Sequence, residues 1–106
     1  MKHVLFADKS LLLDDVASEA LVAYGALLGK ISSADSVEVN ALNPSGERVT
    51  VRFLLNSGTA LVIETAHSDM PEPENGAAID YMRQRMAAYT YTPGDLPETL
   101  SAGEAS

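Results

Sequence analysis

The stretch from Ser36 to Ala66 alternates apolar and polar residues and is broken twice by similar turn chemistry, Asn43-Pro44-Ser45-Gly46-Glu47 and Leu55-Asn56-Ser57-Gly58-Thr59. Period-2 alternation predicts strands with one covered face. A glycine closing a three-residue loop supplies the positive φ of a bulged hairpin. With Pro44-Ser45-Gly46 and Asn56-Ser57-Gly58 as the loops, Asn43 opposes Glu47 and Leu55 opposes Thr59, which predicts a three-stranded antiparallel meander. One face then stacks Val37 with Phe53 and Leu61, Val39 with Val51 and Ile63, and Ala41 with Val49 and Thr65. The other stacks Glu38 with Arg52 and Val62, Asn40 with Thr50 and Glu64, and Leu42 with Arg48 and Ala66. A slip of one residue would mix the faces, so the apolar face fixes the register.

Asp14 or Asp15 suits the N-cap of a helix running to Leu28, with Gly29 past its end and Lys30 favourable at the negative pole. Val16, Ala20, Ala23, Tyr24, Leu27 and Leu28 form its apolar face. Ala17, Val22 and Ala26 leave the far side weakly polar, a pattern that predicts cover on more than one side. Asn75 suits the cap of a second helix through about Tyr89, with Ile79, Met82, Met86 and Tyr89 turned to the core. Two readings stand for the first residues: a hairpin of Val4–Ala7 and Leu11–Leu13 around Asp8-Lys9, or a helix from Leu11 capped by Ser10. Three successive leucines favour the hairpin, because a covered strand takes such a run without placing it around a helix. The expected fold is α+β: N-terminal β-hairpin, helix, three-stranded antiparallel meander and C-terminal helix. A single domain is expected over residues 1–91, with a flexible acidic tail over 92–106.

This order of elements resembles small uncharacterised actinobacterial proteins. The likeness is carried by Leu12-Leu13-Asp14-Asp15 before the first helix, Gly46-Glu47-Arg48-Val49-Thr50-Val51 entering the middle strand, and Pro71-Glu72-Pro73 before the last helix. It covers about Val4 to Ala88 and implies the fold order alone, with no activity, cofactor or catalytic residue.

Fifteen acidic and seven basic residues give a net charge of −8, a field that repels nucleic acid and anionic membrane surfaces. The absence of cysteine removes disulfides and thiol chemistry and suits a reducing, cytoplasmic setting. The apolar stretch Val4 to Ala7 is too short for a signal segment or a membrane span.

No nucleophile motif, P-loop or dinucleotide fingerprint is present. One row beyond the meander, the expected register sets His67 beside Glu47 and Asn43, where Glu47 would orient His67 as a general base. Glu64 and His67 point to opposite faces of a strand, and His3 is the other histidine, so neither a metal site nor a cofactor is expected. Tyr81 and Arg85 lie one helical turn apart with Arg83 nearby, a candidate clamp for an anionic ligand. Asp69, Glu72 and Glu74 offer acidic groups to a basic protein partner. Leu54, Ala60 and Val62 on the outer sheet face, with Val22 on the first helix, are the candidate interface. The expected function is a non-enzymatic binding or interaction module forming a homodimer. The alternative is a small enzyme or ligand-binding domain using His67 and Glu47 as base and orienter.

Overall fold

A computed structural model of the chain describes residues 1–90; the tail expected over 92–106 lies outside them. Strands β1 (Lys2–Phe6) and β2 (Lys9–Leu13) form the N-terminal hairpin; β2 takes up Lys9, which the sequence pattern assigned to the turn, and β1 gives up Ala7 to it. The turn is therefore Ala7-Asp8, with Ala7 left-handed at φ 56°. Helix α1 (Asp15–Lys30) is capped by Asp14, whose Oδ2 accepts the Ala17 N–H at 3.2 Å. It continues through Gly29, and the left-handed residue beyond it is Ser32 at φ 53°. A Cβ at Gly29 would stand 3.9 Å from Ser57 Cα, an ordinary contact, so the helix passes close to the second turn here.

Strands β3 (Asp35–Leu42) and β4 (Arg48–Leu55) form the hairpin expected from the first Ser-Gly turn, pairing Val37 with Phe53, Val39 with Val51 and Ala41 with Val49. Gly46 takes φ 81°, its N–H bonds Asn43 O at 2.8 Å, and the Asn43 N–H bonds Glu47 O at 2.9 Å.

Strand β5 (Leu61–Thr65) departs from the expectation of a continuous meander. The sheet order is β4-β3-β2-β1-β5, so β5 pairs with β1, setting Ile63 beside Val4 and Leu61 beside Phe6. The second turn does form, with Thr59 N–H on Asn56 O at 3.1 Å, but Gly58 lacks the positive φ that would fold β5 back onto β4. The face assignment survives the change of partner: Leu61 and Ile63 still pack against the core. Alternation fixes which side of a strand is covered and is silent about its neighbour.

β4 and β5, consecutive in sequence, are thus the two edges of one sheet. Laid flat, four strand spacings would part them by about 19 Å. The sheet instead coils, enough for Phe6 of β1 and Phe53 of β4 to meet edge-on with ring centroids 5.6 Å apart. Its concave face buries Val4, Leu11, Leu13, Val37, Val39, Ala41, Phe53 and Leu55 against Leu21, Tyr24 and Leu28 of α1. Helix α2 (Gly76–Thr90) adds Met82, fully buried, with Ile79, Met86 and Tyr89 packed beside it, the face its spacing predicts. Leu12 with Leu42 is the one strand pairing between β2 and β3, so the sheet is two well-zipped units joined at a narrow corner.

Candidate binding site at the open edge of β3

The narrow corner follows from Asp14. Strand β2 ends at Leu13 because the next residue caps α1, so the β2 side of β3 has no strand beyond Leu42. The Asn43 to Glu47 bond sets the ladder: Asp35, Val37, Val39 and Ala41 bond towards β4, while Ser36, Glu38 and Asn40 point their backbone groups the other way. At Asn40 the side chain of Asn75 takes the place of a strand. Its Oδ1 accepts the Asn40 N–H at 2.7 Å, and its Nδ2 donates to Asn40 O and to Asp14 Oδ1, both at 2.8 Å. Asn75, Asp14 and Ser18 are the buried polar side chains among the described residues, and each is hydrogen-bonded. The sequence assigns Asn75 to capping α2. Its carbonyl does accept the Ile79 N–H, but its amide is spent on β3, and Glu74 Oε2 accepts the Gly76 N–H at 3.0 Å instead.

Beyond Asn75, the edge from Asp35 to Glu38 opens into a groove of about 750 Å³, walled by Gly76, Ala77, Ala78 and Tyr81 of α2. At its far end Asp35 Oδ2 accepts hydrogen bonds from Tyr24 of α1 and Tyr81 of α2, each at 2.5 Å, with Arg85 Nε 4.0 Å away. Tyr24 is 0% exposed, so its hydroxyl depends on this carboxylate, whereas Tyr81 is 40% exposed and also meets water. Burial, then the bond to Asp35, pushes the Tyr24 phenol up to about 12; the same bond, then burial, raises Tyr81. Burial pushes the Asp35 carboxyl up, but the two tyrosine bonds, the Ser36 N–H and the Arg85 charge outweigh it and hold it below its ordinary value. Asp35 therefore ties α1, β3 and α2 together. Sequence spacing missed it; the available signal was a tyrosine on the apolar face of α1, since a buried phenol requires a partner.

The candidate residues read from sequence separate into groups. Tyr81 and Arg85 do converge, but on the chain's own Asp35, and the Arg85 guanidinium also bonds Tyr89 Oη at 2.8 Å. Arg83, exposed, borders the grooves near Asp14 and Val16 rather than this cluster. Asn43 and Glu47 bond each other at 3.0 Å within the β3–β4 turn. The ladder expected to bring His67 to them is not formed, because β5 lies three strands away from β3, beyond β1 and β2. His67 is exposed, and its ring makes no hydrogen bond or ion pair with a described residue. Leu54 and Val62, 56% and 52% exposed, sit on opposite edges of the sheet. Val22 borders a groove of about 320 Å³ between α1 and the segment Leu55 to Leu61.

Among the described residues no group of three or more His, Asp or Glu is placed to hold a metal ion, and no helix is long and apolar enough to cross a membrane. No family model, curated protein or solved structure matches the chain.

Proposed function

We propose that the chain is a non-enzymatic interaction module that forms a homodimer by pairing β5 with β5 of a second copy. The observation that carries this reading is the outer edge of β5. The Ala66 N–H bonds Met1 O at 3.2 Å, so Glu64 and Val62 bond towards β1, while Leu61, Ile63 and Thr65 turn their N–H and C=O groups outward. A two-fold axis at Ile63 sets Ile63 against its counterpart and Leu61 against Thr65, completing about six backbone hydrogen bonds. On the outer face it sets Val62 against Glu64 of the copy, so no like charges meet. Val22 and Ala26 of α1 flank Leu61 and extend the apolar strip. The β4 edge is the poorer choice: Arg48 and Arg52 stand exposed along it, a charge pattern that discourages strand addition.

The chemistry supports binding over catalysis. Tyr24 and Tyr81 are held protonated and Asp35 ionised at neutral pH, which suits a structural tie better than proton transfer near pH 7. The acidic surface and lack of cysteine support a cytoplasmic setting with a protein partner and neither nucleic acid nor membrane.

Sedimentation velocity tests the dimer. A species of twice the 11.2 kDa chain mass is expected at high micromolar concentration. Val62→Glu sets like charges opposite Glu64 of the copy and gives monomer, whereas Val62→Lys sets an opposite charge there and keeps the dimer. Equal behaviour of the two variants refutes the pairing.

A further inference from the structure

We infer that the groove beside β3 captures an extended, basic peptide segment of another protein by strand addition. The site lies on β3, away from the β5 edge, and does not rest on dimerisation.

The edge is already used in this way at one position. The Asn75 amide bonds both Asn40 N and Asn40 O at 2.7 and 2.8 Å, as a peptide unit of a neighbouring strand does. Two residues along, the Glu38 N–H and C=O point the same way with no strand beside them, followed by Ser36 O. The Ser36 N–H is satisfied by Asp35 Oδ1 at 2.8 Å, which marks where the available edge ends. A helix lying along an edge ordinarily shields it. Here α2 presents Gly76, Ala77 and Ala78 across the groove, leaving about 750 Å³ between them and β3. An incoming strand continues the line that Asn75 begins, bonding Glu38 twice and Ser36 once.

Charge selects the occupant. Asp35, Glu38 and Glu74 line the groove, against Arg52, which is paired to Glu38 at 3.1 Å. A residue opposite Glu38 places its side chain on the outer sheet face beside that carboxylate, so lysine or arginine is favoured there. The chain's own residues 91–106 carry Asp95, Glu98 and Glu104 and no basic residue, so their charge does not suit the groove as that of a basic partner segment does.

The test titrates the full chain, isotopically labelled, with the peptide acetyl-Thr-Val-Lys-Val-Thr-amide, following backbone amide resonances. Saturable shifts centred on Glu38, Ser36 and Ala77 are expected. Methylating the peptide nitrogens that face β3 weakens binding about tenfold or more, because main-chain bonds carry strand addition. Exchanging the lysine for glutamate weakens it similarly, and so does Ala77→Trp, which fills the groove from α2. Binding unaffected by N-methylation overturns the inference. So do shifts centred on Leu61, Ile63 and Thr65, or the absence of saturable shifts up to millimolar peptide.

Discussion

Replacing Asn75 separates two physical contributions at the corner of the sheet. Asn75→Ala deletes three hydrogen bonds, two to Asn40 and one to Asp14 Oδ1. At about 0.5–1.5 kcal/mol net each, and with water able to reach Asn40 from the groove, the loss is about 2–4 kcal/mol. Asn75→Asp keeps the acceptor for the Asn40 N–H. It turns an oxygen towards Asn40 O and sets a second carboxylate where Nδ2 now lies, 2.8 Å from Asp14 Oδ1. Two charges at that spacing repel by several kcal/mol even at an effective dielectric of ~20, so at pH 7 Asn75→Asp falls about 2 kcal/mol below Asn75→Ala. The crowded pair has a raised folded-state pKa, so its proton binds more tightly in the folded than in the unfolded chain. Relative to wild type, Asn75→Asp therefore recovers stability as pH falls from 7 towards about 4, where one carboxyl donates to the other. Urea unfolding followed by far-ultraviolet circular dichroism at pH 7 and pH 4 measures both effects, with wild type subtracted at each pH. Asn75→Asp equal to or milder than Asn75→Ala at pH 7, or a difference from wild type independent of pH, refutes the account of the corner.

Tyr24→Phe costs about 1.5–3 kcal/mol because it removes a bond to a charged group from a fully buried site, while Tyr81→Phe at the groove costs less than about 1 kcal/mol. The Tyr24 phenol is raised from 10.0 to about 12 in the folded chain, so its contribution is complete below pH 10 and lost as pH climbs through 12. That difference corresponds to about 3 kcal/mol, and phenolate absorbance should lose its latest component in Tyr24→Phe. Asp35 has the opposite sign: its folded-state value is depressed, so its contribution is present above the unfolded value of about 3.9 and disappears as pH falls through the folded one. Ala7→Gly relieves the left-handed backbone at φ 56° and raises stability by roughly 0.5 kcal/mol after the extra chain entropy of glycine, read as an increase in the thermal midpoint.

What could be read from the residues is what short-range chemistry determines. Pro44-Ser45-Gly46 set the β3–β4 register, Asp14 capped α1, and the spacing of Ile79, Met82 and Met86 gave the buried face of α2. The partner of β5 was not readable in the same way. Leu61 and Ile63 face the core whether β5 lies against β4 or β1, and the choice rests on the coiling of the whole sheet. The expected meeting of His67 with Glu47 depended on that choice and disappeared with it. The corner of Asp14, Asn40 and Asn75 was hidden for a related reason. Asn75 reads as a helix cap locally, and its amide finds β3 only because β2 stops at Leu13, 62 residues earlier in the chain. Tyr81 and Arg85 were legible as neighbours on α2, but the carboxylate they meet comes from the start of β3.

Amide hydrogen exchange on β5 tests the proposed dimer most directly. At millimolar protein the outward amides of Leu61, Ile63 and Thr65 should exchange slowly and become fast on dilution, while Val62 and Glu64, bonded to β1, stay protected throughout. Fast exchange of Leu61, Ile63 and Thr65 at every concentration would contradict the pairing of β5 with its copy, as would protection that does not change on dilution.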